Sequence, residues 1–166
     1  MKLRLMTILV TGLLLVGCGT SSGTSFAESR NFNDADEESF IEQLKELMDE
    51  HDIRFYEEEW ADIDWKGYFE VTNISRERVQ THANISLITP DEIINTGNAM
   101  IEYLQGIGRY KDYILLEISL SRNDNVWLFD YSLDPHGFGI DVYIISGALT
   151  IAIDGNTYDI IGMWHE

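Results

Sequence analysis

The stretch from Thr89 to Gly108, TPDEIINTGNAMIEYLQGIG, constrains the fold more than any other. Thr89 is a helix-capping residue. Pro90 suits the first helical position because it has no N–H to leave unpaired there. Glu92 completes a capping box with Thr89. Ile93, Ile94, Met100, Ile101 and Leu104 then share one helical face, and Gly106 or Gly108 supplies the stop. The runs after it are strand-like: YILLEISLS, VWLFDYSL, IDVYIIS and ALTIAID. SRNDN and DPHGFG read as turns between strands, and DGN as a tight hairpin turn leading into TYDIIGMW. Strands in succession, joined by short turns, predict an antiparallel sheet.

Upstream, DADEESFIEQLKELMDEHD places Phe40, Ile41, Leu44, Leu47 and Met48 on one helical face. Asp34 is a candidate cap, with Glu37 three residues on, and the acids of the first turn suit the helix dipole. Glu42, Lys45, Glu46, Asp49 and Glu50 form a solvated far face. The next stretch is ambiguous: Tyr56, Trp60 and Ile63 fit a helix, whereas Trp65 to Val71 is more strand-like. GYFEVTNI and VQTHANISLI read as strands. In the second, Val79, Thr81, Ala83, Ile85 and Leu87 alternate with Gln80, His82, Asn84 and Ser86, a half-buried strand pattern.

The expected order is therefore α-β-β-α-β-β-β-β. It predicts an α+β domain with two amphipathic helices on one face of a curved, mainly antiparallel sheet. This order resembles the cystatin/NTF2-like group of folds over roughly residues 36 to 163. The resemblance is topological and rests on no motif. It implies a cone-shaped cavity between sheet and helices, on a scaffold that hosts both enzymes and non-catalytic binding modules. A ferredoxin-like pairing of strands around the second helix is the alternative.

The chain begins MKLRLMTILVTGLLLVGCGTSSGTS. Lys2 and Arg4 precede an apolar run, Leu5 to Val16, that falls short of the ~20 residues a membrane-spanning helix needs. Basic start, short apolar run and small residue at the junction describe a secretory signal peptide. Leu15-Val16-Gly17-Cys18 resembles the lipobox of bacterial lipoproteins. The resemblance covers residues 1 to 18 and implies removal of residues 1–17, with a diacylglyceryl thioether on Cys18. Two acyl chains suffice for stable anchoring. The expected domains are a cleaved signal (1–17), a lipidated N-terminus and flexible tether (18–34) and one α+β domain (35–166). The expected location is the extracytoplasmic face of a membrane in a bacterial cell envelope. Cys18 is the only cysteine, so the domain has no internal disulfide. Its glycine- and serine-rich surroundings offer no base to activate a thiol.

The formal net charge is −18, and removing Lys2 and Arg4 with the signal takes it to −20. Such a surface repels phosphate backbones, which argues against nucleic-acid binding. The acidity also serves solubility. His51, His82, His136 and His165 have no zinc-motif spacing. DADEE lacks the glycine and distant glutamate of an EF-hand loop. GxSxG and the P-loop are absent. Asp130 and Asp141 would act as an acid/base pair only in a cleft that raises one pKa. Trp60, Trp65, Tyr68 and Phe69 form either core or an exposed stacking platform for cell-wall glycan or a protein partner. The expectation is a lipid-anchored envelope binding or assembly protein without catalysis and with no cofactor beyond the lipid. The alternatives are an anchored envelope hydrolase and a small-ligand or cation binder that uses a cavity in the fold.

Overall fold

The computed structural model describes residues 34–58, 73–133 and 148–165. Three helices and five strands occur among them: α1 (Asp34–Glu50), β1 (Arg54–Glu58), α2 (Arg76–Ala83), α3 (Pro90–Gly106), β2 (Tyr113–Ser121), β3 (Val126–Leu133), β4 (Leu149–Asp154) and β5 (Ile160–His165). The strands form one mixed, open sheet in the order β1-β2-β3-β4-β5. β1 runs parallel to β2, and the other three ladders are antiparallel. The α+β expectation holds. Because β1 and β2 are adjacent, their crossover through α2 and α3 is not the split βαβ of a ferredoxin-like arrangement.

The helices pack on one face of the sheet. Its three apolar rows follow from the register: Ile118–Phe129–Ile151–Met163, Leu120–Trp127–Ile153–Ile160 and Leu115–Tyr131–Leu149. All of these side chains are buried in one cluster with Ile41, Leu44 and Met48 of α1, Val79 and Ala83 of α2, and Ile93, Ile94, Met100, Ile101 and Leu104 of α3. Each large apolar side chain withdrawn from water contributes roughly 1.5–3 kcal/mol, so this cluster is the main source of stability. Register shifts between Leu115 and Glu117 and between Ala152 and Ile153 mark irregularities in the ladders, and such bulges sharpen local twist.

α3 carries the expected capping box. The Glu92 amide donates to Thr89 Oγ1 at 3.3 Å, and the Thr89 amide donates to Glu92 Oε2 at 3.0 Å. The Ser86 hydroxyl donates to the same Glu92 oxygen at 3.1 Å, which ties the approach segment to the helix start. Thr89→Ala is expected to cost about 1 kcal/mol, read as a lowered melting temperature. An unchanged melting temperature would show that Glu92 and Ser86 hold the helix start by themselves. At the far end Gly108 takes φ +80°, a left-handed conformation suited to glycine.

Residues 79–83 correct the sequence reading. They are helical, not extended, and the α2 helix ends at Asn84 in the left-handed region. Val79 and Ala83 lie four apart and are both buried, so one spacing served both a strand alternation and a helix face. Tertiary partners decide for the helix. The Arg76 guanidinium donates to the Ile161 carbonyl at 3.2 Å, and Gln80 Oε1 accepts from the Ile160 amide at 3.3 Å. These bonds fasten α2 to β5. The expected strand over GYFEVTNI and the one over IDVYIIS fall wholly or mainly outside the described residues.

Candidate functional site

Cys18, Trp60, Trp65, Tyr68, Phe69, His136 and Asp141 lie outside the described residues. The remaining expected groups are placed as follows. His51 is exposed just past α1. His82 was expected on the polar side of a strand; it stands instead on α2, stacked on Tyr103 of α3 with ring centroids 4.2 Å apart. Asp130 lies on the sheet face away from the helices, where it accepts a hydrogen bond from Thr150. No group of three or more metal-ligating side chains occurs among the described residues. None of the described helices is long and apolar enough to cross a membrane.

Three polar constellations are built by the fold. The first is the sheet face opposite the helices. Strand alternation puts Glu117, Ser119, Ser121, Asp130 and Thr150 there, around the small buried cluster of Val126, Leu128 and Ala152. Arg54 pairs with Glu117 at 3.1 Å. Among the described residues Ser121 Oγ is buried with no hydrogen-bond partner.

The second constellation is an ion-pair junction on the β1 edge. Glu57 bonds Arg122 and also takes Lys45 of α1 at 3.1 Å, while Glu37 at the start of α1 lies 3.9 Å from Arg122. Burial pushes the Glu57 carboxyl up, but bonds from Arg122 and then Lys45 more than offset it and hold the group below the usual carboxylate range. These pairs are largely solvated, so their role is to orient α1 against β1 rather than to add much stability.

The third lies at the other end of the sheet, where the α3–β2 connection meets the end of β5. Tyr110 packs edge-on against Tyr113 at 4.9 Å and lies 6.0 Å from the His165 ring. Tyr110 has φ +48°, a left-handed conformation that costs a bulky side chain roughly 1–2 kcal/mol. It persists because the ring is packed against the main core. Arg109 and Lys111 flank it and are exposed. Lys45, Arg54 and Arg122 are committed to carboxylates. Arg109 and Lys111 have no ion-pair partner among the described residues. Ile107 and Ile114, 48% and 37% exposed, border the same corner.

The phenols of this corner stay protonated at neutral pH. Burial raises Tyr110, Tyr113 raises it further, and Arg109 lowers it by less; burial raises Tyr113. Both hydroxyls therefore keep their protons. The sequence signal was GRYKDY, two cations interleaved with two tyrosines in a chain with 29 acids and 11 bases. Nothing in that spacing shows which other cations of the chain are paired. No family model, curated protein or solved structure matches the chain.

Proposed function

We propose that this is a lipid-anchored binding or assembly protein on the extracytoplasmic face of a bacterial cell envelope, acting without catalysis. The observation that carries the reading is the junction at Cys18. A basic start, a short apolar run and LVGC are followed by a small, polar stretch up to α1, which begins at Asp34. Two acyl chains on one thioether hold a protein at a bilayer without a spanning helix. The domain then works at the end of a tether, within reach of envelope proteins and wall glycan.

The direct test expresses the full chain in a bacterial host fed a clickable fatty acid. The wild-type product is expected to carry the label and to lack residues 1–17. Cys18→Ala is expected to carry no label and to keep the longer N-terminus. A labelled, shortened Cys18→Ala product would overturn the reading. Affinity capture from detergent-solubilised membranes then asks for partners, and recovery of no reproducible partner would count against a binding role.

A further inference from the structure

We propose that the corner formed by Arg109, Tyr110, Lys111, Tyr113 and His165 binds an anionic glycan, a sugar polymer carrying phosphate or carboxylate groups. This names a ligand class for the envelope-binding reading above and rests on it.

Charge is the first argument. Among the described residues the cations on the β1 edge and at its start are spent on Glu57, Glu117 and Glu37. Arg109 and Lys111 stand two residues apart on one exposed turn without ion-pair partners. Asp112 is the acid of the same turn. Glu166 follows His165 in the sequence, so in a chain of formal charge −18 the corner offers two unpaired cations rather than a net basic patch, and these draw an anion more than the rest of the protein's own surface does.

The second argument is the chemistry between the cations. Two partly buried tyrosine rings and an exposed imidazole stand together. Aromatic faces take up the apolar side of a sugar ring, and phenol hydroxyls bond to its polar edge. Burial keeps both phenols in the protonated form.

The third argument is placement, which leaves the corner free for a polymer. Glu37 at the start of α1 lies beside Arg122, just past the end of β2. The tether therefore joins the domain at that end of the sheet. Tyr113 opens β2 and sits at the opposite end. β2 has nine residues, a span of about 30 Å at ~3.3 Å per residue. The cationic corner thus lies at the opposite end of the sheet from the start of α1, open to a polymer while the anchor is engaged.

The test uses the full lipidated protein reconstituted in phosphatidylcholine vesicles, with phosphorylated dextran, hyaluronan and plain dextran as probes. The wild type is expected to sediment with phosphorylated dextran and hyaluronan and not with plain dextran. Arg109→Gln with Lys111→Gln is expected to weaken this by about tenfold or more. Both residues are exposed, so the melting temperature should not move. Lys111→Gln alone and Tyr113→Phe, which keeps the packing, are expected to give smaller losses. Arg78→Gln, which removes an exposed charge from α2, is expected to change binding less than about twofold.

Equal binding by the wild type and the double variant, or none by the wild type to either charged polymer, would overturn the proposal. Capture of phosphatidylglycerol vesicles with no retention of either polymer would also overturn it, in favour of a lipid headgroup. Each of these results leaves the lipid-labelling result at Cys18 untouched. Failure of the ligand assignment is thereby separable from failure of the envelope reading.

Discussion

Phe129→Ala is expected to lower unfolding free energy by about 3–5 kcal/mol, the range for emptying a fully buried aromatic site. Phe129 is 0% exposed and occupies the centre of the row Ile118–Phe129–Ile151–Met163. Its ring also faces Gly97 of α3, so its loss removes contacts within the sheet and between sheet and helix. Neither neighbour is free to fill the space: the strands are fixed by ladders on both sides, and α3 is held by its cap. Urea denaturation followed by tryptophan fluorescence reads the change, because Trp127 is 4% exposed in the next row of the core. A loss under about 1 kcal/mol would show that the site collapses freely and that the core is not packed as described.

Gly97→Val is expected to cost about 3 kcal/mol, the upper part of the range for overpacking a filled core. A Cβ on Gly97 would sit 2.6 Å from Leu115 Cδ2 and 3.0 Å from Phe129 Cδ1. The Gly97 carbonyl also accepts the buried Tyr131 hydroxyl at 2.9 Å, so α3 cannot withdraw from the sheet without breaking that bond. Burial, with a smaller contribution from Asp130, pushes the Tyr131 phenol well above its ordinary range, so it is a donor at neutral pH. Gly97→Ala meets the same clash with fewer atoms and regains about 1 kcal/mol of helix propensity, and is expected within roughly 1–2 kcal/mol of the wild type. The decisive comparison is Gly97→Val with Leu115→Ala. If the close contact is the cause, the double variant is more stable than the sum of the two single losses. Strict additivity would place the cost elsewhere.

The parts of the fold legible in the sequence are those in which local chemistry and burial agree. α3 has its cap, its proline and its apolar stripe in register, and the structure uses all three. In α1, Ile41, Leu44 and Met48 are buried and Phe40 and Leu47 pack against them, as the spacing predicts. Strands β2 to β5 follow their apolar runs. α2 was misread because Val and Thr at alternating positions favour a strand. Its helical state depends on Arg76 and Gln80 reaching residues of β5 that lie far along the chain. The parallel β1–β2 ladder was equally hidden, since nothing in RFYEE specifies which strand it joins. For the candidate site, the aromatic cluster singled out in the sequence lies outside the described residues. Arg109 and Lys111 gain meaning only when the other cations of the sheet edge are seen to be paired.

Sheet order that matches chain order has a consequence for how the domain is assembled. Among the described strands β2 pairs with β3, β3 with β4 and β4 with β5, so these ladders join neighbours in chain order. β1 joins only after the crossover containing α2 and α3 has been closed. Closing that loop carries an entropic cost that local hairpins avoid. The N-terminal end, α1 with β1, is therefore expected to dock last and to detach first. It is also the end next to the proposed lipid. Tension between a bilayer and a partner held at the far corner would fall first on this late-forming seam, leaving the meander of β2 to β5 intact while the seam opens and recloses.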